Sequence, residues 1–297
     1  MYYPARTYVV DTTVERGPAI SGLTRLFPVL AWPVEQVKAP ALFNAYFSAA
    51  GIDARVVPFK VAPDNYLATV RVLMAVENVG GLFISIPHKP LTLDAVQHAT
   101  PRAALAGACN AVYRAAGGAV HGDLTDGEGF VRAVEHGAGA APMAWASLRA
   151  LVVGAGGVGC AIAAALAERG VGALRIVDIR AGQAELLCQR LRAAFPRLDV
   201  AVGTAVAAGY GLVVNSTPLG MEPADPLPLD LDGISPDCIV ADCVMKVEMT
   251  ALLEAAQRRG NRILKGKEVL IEQAPLYLDL FGLPAADAAQ FRQFDIW

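Results

Sequence analysis

The sequence predicts an α/β protein with a mostly parallel sheet, and three observations carry that reading. Strand and helix patterns alternate almost from end to end, as expected for a parallel sheet covered on both faces. One apolar strand, LVV, runs directly into the glycine-rich GAGGVG and then an alanine-rich helix. The chain is 297 residues long, 55% hydrophobic and 18% charged, which excludes disorder and suits two domains or one large one.

The elements follow in order. TRLFPVLA (24–31) reads as a strand, and PALFNAYFSAAG (40–51) as a helix with Pro40 in its first turn and Gly51 just past its end. ARVVPFKV (54–61) is a strand, and Asp64 is placed to cap a helix over DNYLATVRVLMAVENVG (64–80). LFISI (82–86) is a buried strand, after which Pro87 opens a helix carrying Lys89. AVYRA and AVHGD (111–115 and 119–123) form a hairpin or edge pair, and EHGAGAAPMAWAS (135–147) is a connection. LRALVVG, LRIVDIR, LDVAVG, LVVNST and CIVADCV are further strands, separated by helices or long loops. Two helical stretches, GKEVLIEQAPLYLDLFG and PAADAAQFRQF, end the chain.

Composition narrows the partners. A net charge of −3 with no block of basic residues argues against nucleic acid and anionic membrane, leaving a small-molecule ligand. Cys109, Cys160, Cys188, Cys238 and Cys243 are odd in number and lack CxxC spacing, so they read as small apolar residues of a reducing cytoplasm. His88, His98, His121 and His136 are scattered, and no metal is expected. No stretch is apolar enough to span a bilayer, and roughly residues 1–18 read as a polar extension without a signal-peptide run. The expectation is a cytoplasmic monomer or homodimer.

In GAGGVG, Gly154, Gly156 and Gly159 satisfy GxGxxG, with Gly157 between them. Glycine permits the tight turn and close approach to a pyrophosphate, and the helix N-terminus supplies free N–H groups. The next strand ends at Asp178, at the distance expected for an acid on a ribose 2′-hydroxyl. A carboxylate there repels a 2′-phosphate, which favours NAD. Arg180, two residues on, keeps NADP open.

Lys89 is locked between Pro87 and Pro90 after a buried strand. Such a lysine either marks the return to water or is delivered to the rim of a cleft as an acid/base. Five further stretches appear in order after PHK (87–89): GACNAV (107–112), GDLTDGEG (122–129), GAGGVG, NSTPLGM (215–221) and EQA (272–274). Together they resemble the shikimate dehydrogenase family, which includes quinate dehydrogenases, over about residues 19–295.

The resemblance implies hydride transfer between nicotinamide and a ring carbon bearing a hydroxyl. Lys89 and Asp126 inherit the catalytic pair. Asn110, Gln273 and Ser85 inherit substrate-binding positions, although Asp126 also reads as a helix N-cap. Asn215, Thr217 and Met221 belong to the loop near the nicotinamide. His88 reads as an exposed or packing residue. The resemblance also implies two α/β domains: a substrate domain of residues 1–124 and 266–297, completed by the C-terminal helices, and a Rossmann domain of residues 125–265.

The departures cluster. Phe83 replaces the family's asparagine in Asn-Val-Thr-x-Pro-x-Lys. Gln36, Val37 and Ala39 stand where the family's His-Ser-x-Ser holds the substrate carboxylate, and Met245 stands where a tyrosine faces that group. The expectation is an altered carboxylate subsite, with Lys38 or Lys265 as the candidate replacement charge. Two other readings stand beside this one. The first is a regulatory protein that binds dinucleotide and ligand with weak or no turnover, against which the retained Lys89 and Asp126 argue. The second is a folate-type methylene dehydrogenase, which TDGEG and NSTPLGM fit less well.

Overall fold

The computed structural model describes residues 20–139, 142–180 and 182–296. The expected polar extension lies outside the described residues. Two six-stranded sheets, each flanked by helices, make a two-domain α/β fold. The first sheet contains β1 (Arg25–Ala31), β2 (Ala54–Lys60), β3 (Leu82–Ile84), β4 (His98–Ala99), β5 (Ala111–Arg114) and β6 (Val120–Asp123), in the order β2-β1-β3-β5-β6-β4. β5 and β6 form the expected antiparallel hairpin inside a sheet that is otherwise largely parallel. The second sheet is wholly parallel. Its strands are β7 (Arg149–Val153), β8 (Ala173–Val177), β9 (Asp199–Val202), β10 (Leu212–Asn215), β11 (Ile239–Asp242) and β12 (Arg262–Leu264), in the order β12-β11-β10-β7-β8-β9. The order reverses between β7 and β10, and a crevice opens outside the carboxyl ends of the strands at such a point.

The helices are α1 (Ala39–Ala50), α2 (Tyr66–Leu73), α3 (Pro101–Ala106), α4 (Asp126–Ala138), α5 (Gly157–Glu168), α6 (Gln183–Ala194), α7 (Ala251–Arg258), α8 (Gly266–Leu280) and α9 (Ala288–Arg292). None of the described helices is long and apolar enough to cross a membrane.

Several local expectations give way. Asp64 caps nothing: a 3-10 turn over Pro63–Asn65 comes first, and α2 starts at Tyr66 without a side-chain cap. α2 stops at Leu73, and in the turns beyond it the Arg114 guanidinium donates to the carbonyls of Met74, Val76 and Val79. Lys89 lies on no α-helix. It follows a turn closed by His88 N to Ser85 O (3.0 Å) and precedes a 3-10 helix over Pro90–Ala95. Pro90 has no N–H for the Ile86 carbonyl, so an α-helix begun at Pro87 lacks its first bond. α4 takes up the start of the expected connection, running to Ala138. The histidines are less scattered than their sequence positions: parallel pairing of β4 with β6 brings the His98 and His121 rings to 4.9 Å.

α4 connects the two sheets and packs against both α5 and α8. Its TDGEG start makes that approach sterically feasible. A Cβ on Gly127 would lie 2.1 Å from the Ala161 carbonyl oxygen of α5, and one on Gly129 would lie 2.3 Å from Gln273 Cγ and 2.9 Å from the Val269 carbonyl oxygen of α8. On another flank, buried Ala103 and Ala106 of α3 join an apolar cluster with Ala161, Ala164 and Ala165 of α5 and with Leu187 and Leu191 of α6. Just before α4, Asp123 is clamped by Arg102 Nε (2.7 Å), Arg102 Nη2 (2.6 Å), Thr100 Oγ1 (2.5 Å) and the Leu124 amide (2.7 Å). Burial alone would raise its pKa, but Arg102 and Thr100 outweigh that and hold it below the usual carboxylate range.

Two predictions follow from this packing. Gly127→Ala gains helix propensity of about 1 kcal/mol. Because its methyl group meets backbone, a net destabilisation of about 1–3 kcal/mol is expected in urea unfolding. Arg102→Ala leaves a buried carboxylate unpaired and should cost about 3 kcal/mol at neutral pH. Because the native Asp123 pKa is depressed, the stabilisation is present above the ordinary aspartate range and lost as pH falls through the native value. The gap between parent and variant in unfolding free energy should therefore shrink in acid.

Candidate active site

Three segments converge on one cavity of about 370 Å³: the turn after β3, the start of α4, and one face of α8. Lys89 Nζ donates to Asp126 Oδ2 at 2.6 Å, and both side chains are buried, at 10% and 9% exposure. Thr125 is the N-cap residue of α4, without a side-chain cap bond, and Asp126 is its first residue. A carboxylate at a helix N-terminus also meets the positive end of the helix dipole. Gln273 Nε2 approaches the other carboxylate oxygen at 3.5 Å. Lys89, Asp126, Gln273 and Ser85 line the cavity.

Asn110 lies behind this group and is not in the lining. Its Oδ1 accepts from the Thr125 amide (2.9 Å), while its Nδ2 donates to Thr125 Oγ1 (3.0 Å) and Gln273 Oε1 (3.4 Å). It therefore locks α4 and α8 in place. His88 is fully buried, so the exposed alternative is excluded. Its Nε2 donates to the Val61 carbonyl at 2.9 Å, its ring stacks on Tyr66 at 4.3 Å, and burial lowers its pKa. Those contacts anchor the turn that presents Lys89.

The opposite wall is the glycine loop. Gly154 takes a φ of 104°, and a Cβ on Gly159, in the first turn of α5, would fall 1.9 Å from the Gly154 carbonyl oxygen, so the turn and the close approach of the helix to it both require glycine. Gly156 and Gly157 face the cavity; beyond Gly156 is open space, and a Cβ on Gly157 would lie 3.4 Å from the Lys89 side chain. This cradle at the start of α5 fits a dinucleotide pyrophosphate. Asp178 sits at the loop but outside the cavity lining. It accepts from the Ala155 amide (2.8 Å) and from the Arg180 amide (2.8 Å), Nε (3.1 Å) and Nη2 (3.1 Å). Burial pushes its pKa up, but the Arg180 bonds and the two amides prevail and lower it. The Arg180 side chain is 59% exposed.

The loop after β10 completes that wall. Asn215 is buried and shapes the loop, accepting from the Thr217 amide (3.0 Å) and hydroxyl (2.7 Å) and donating to the Leu219 carbonyl (2.9 Å). Thr217 and Met221 face the cavity, as does Ser216. Asn215 Nδ2 also donates to Asp242 Oδ1 at 3.0 Å. Asp242, unmarked in the sequence, is buried deeply enough that its pKa rises despite Thr250 and the Val244 amide. The Cys243 thiol lines the cavity and is pushed well up by burial.

The remaining wall is apolar. Val37, Ala39 and Met245 line it with Phe83, Leu270 and Tyr277. The Lys265 ammonium is bound to Glu248 at 3.0 Å and lies outside the lining, while Lys38 is within it. Tyr277 and Leu270 were not anticipated, although Tyr277 follows Gln273 by four residues on the same helix face.

Comparison with known proteins now bears on this geometry. The family model for the shikimate dehydrogenase substrate binding domain matches residues 29–112, and the ThiF family model matches residues 139–180, which include the glycine loop. Shikimate dehydrogenase (NADP(+)) of Paramagnetospirillum magneticum is 34% identical over 278 residues, covering 93% of this chain and 99% of that protein. Among solved structures, quinate dehydrogenase from Corynebacterium glutamicum in complex with NAD is 29% identical with a TM-score of 0.78, covering 91% of this chain and 98% of that one. The ligand-free 5-ketofructose reductase of a Gluconobacter strain is 25% identical with a TM-score of 0.79, covering 91% and 97%. With this similarity along nearly its whole length, the chain belongs to the shikimate dehydrogenase family of NAD(P)-dependent oxidoreductases.

Proposed function

We propose that the protein interconverts a ring hydroxyl and ketone on a cyclic polyol that lacks a carboxylate where shikimate carries one. The observation that carries the reaction is the buried Lys89–Asp126 pair, 2.6 Å apart and facing the glycine loop across one cavity. A nicotinamide bound there supplies or accepts the hydride. The side chains do the rest. In the reducing direction the Lys89 ammonium gives its proton to the carbonyl oxygen; in the oxidising direction neutral Lys89 takes the hydroxyl proton. Asp126 holds Nζ at the reacting oxygen, and Gln273 with Ser85 offers hydrogen bonds to neighbouring hydroxyls. Asn110 acts through Gln273 and Thr125, keeping both oriented. Residues 1–124 and 266–297 form the substrate domain in this reading and residues 125–265 the dinucleotide domain, with α8 returning Gln273 to the first.

The altered carboxylate subsite is supported by the apolar side chains at Val37, Ala39 and Met245 and by the engagement of Lys265 with Glu248. A charge-assisted hydrogen bond is worth about 1.5–3 kcal/mol, so two missing ones should weaken shikimate binding by roughly 10²–10⁴-fold. That the Gluconobacter relative is a 5-ketofructose reductase supports a reading in which this fold serves a neutral substrate. A kcat/KM for shikimate or quinate of about 10⁴ M⁻¹s⁻¹ or more, as in a dedicated enzyme, would sink it.

NAD is the proposed cofactor. Asp178, on the loop that would receive the ribose, supports it, as does the quinate dehydrogenase solved with NAD. The Arg180 guanidinium offsets part of the repulsion, and the Paramagnetospirillum relative takes NADP(+) by name. Asp178→Ala should shift the Kd ratio toward NADP by at least about tenfold, one decade being about 1.4 kcal/mol. Calorimetry showing tighter NADP than NAD binding by the parent would overturn the assignment. Lys89→Ala should lower turnover by roughly 10²–10⁴-fold while leaving the dinucleotide Kd unchanged. Parent-like turnover in that variant would make Lys89 a bystander.

A further inference from the structure

The cavity has two chemically distinct ends. Its polar end is the Lys89–Asp126–Gln273 group. Its other end is continuous with an apolar core: Val37, Met245 and Leu270, each partly exposed, pack against a buried cluster that contains Ala39, Phe83 and Tyr277. Pairing of β1 with β3 sets Val29 beside Phe83, and both reach the cavity. Phe83 and Tyr277 contact each other at 4.4 Å between centroids, and Phe43 supports both from behind at 5.0 Å and 6.0 Å. The wall is therefore braced and cannot readily turn aside to admit polar groups.

Two of its polar side chains have partners outside the cavity, and Lys38 lies in the lining between Val37 and Ala39. The Tyr277 hydroxyl donates to the Asn110 carbonyl at 3.3 Å, and burial raises its pKa well above the usual range, so it stays protonated. The Gln36 amide at the rim donates to the Pro33 carbonyl at 2.8 Å. The loss of a carboxylate-binding site could have left a wall suited to a neutral but hydroxylated substrate. Such a substrate needs donors and acceptors on both sides of its ring, because a buried hydroxyl without a partner is costly. Apart from Gln36 and Lys38, this wall offers mainly apolar surface.

We infer that the substrate is amphipathic: a hydroxylated ring that meets Lys89 and Gln273 on one side and carries an uncharged apolar substituent against Val37, Ala39, Phe83, Met245, Leu270 and Tyr277. This rests on the proposed ring-alcohol chemistry and narrows its substrate class. Removing the substituent from water against such a wall favours binding in proportion to its apolar area.

The test uses the full-length protein with NAD and three probes that share one ring: shikimate, its methyl ester, and the analogue with hydroxymethyl in place of the carboxylate. Oxidation rates are measured with each probe, along with binding to the NAD complex by calorimetry. The expected order of kcat/KM is ester above hydroxymethyl compound above shikimate, with the ester at least about tenfold ahead of the hydroxymethyl compound, roughly the worth of one or two buried methylenes. In Val37→Ser/Ala39→Ser the ester-to-shikimate ratio should fall by about tenfold or more. If the two neutral probes react equally and both outpace shikimate, the apolar-substituent inference fails while the missing-carboxylate reading stands. Shikimate matching or exceeding the ester would overturn both and point to Lys38 as the carboxylate's partner. If no probe is bound or oxidised, the ring-alcohol reading itself falls.

Discussion

The active-site geometry depends on how closely α4 can approach backbone on two sides. α5 carries the glycine loop, α8 carries Gln273 and Tyr277, and α4 begins with Asp126 between them. Gly127 and Gly129 remove the side chains that would wedge these helices apart. The same five-residue stretch thus sets the buried carboxylate that pairs with Lys89 and the spacing of its surroundings. A shift of an ångström in α4 would move Asp126 from both Lys89 and Gln273, and reactions that depend on positioned groups are sensitive to errors of that size.

A second layer fixes those helices electrostatically. Asn110 joins α4 to α8 through Thr125 and Gln273, and the Arg102–Asp123 clamp fixes the chain just before α4. The Asn215–Asp242 bond does similar work under the loop after β10. None of these three groups is among the residues that line the cavity. Each instead satisfies buried polar atoms that would otherwise destabilise the cleft wall.

The sequence was most informative where function imposes a local demand on the backbone. GAGGVG needs glycine for its turn, TDGEG needs it for helix contact, and PHK places a cation after an apolar strand. Those stretches marked Lys89, Asp126 and the glycine loop, which the fold brings to one cavity. What depends on long-range register was hidden. The pairing of His98 with His121, the Arg114 guanidinium bound to the chain beyond α2, and the burial of Asp242 arise from strands and loops distant in sequence. Phe83 stood out as a departure, but its role as a braced cavity wall appears only when Phe43 and Tyr277 fold against it. Asp64 shows the reverse case: a plausible local cap that the neighbouring 3-10 turn overrides.

The alanine seam between α3 and the pair α5 and α6 has a mechanical meaning. Ala103 and Ala106 are completely or almost completely buried there, in one cluster with residues of the second sheet's helices. Small side chains pack closely, and sliding across such a surface would open voids along its length. A larger side chain at either position would therefore have to push α3 away from α5 and α6, so this contact holds only while both residues stay small.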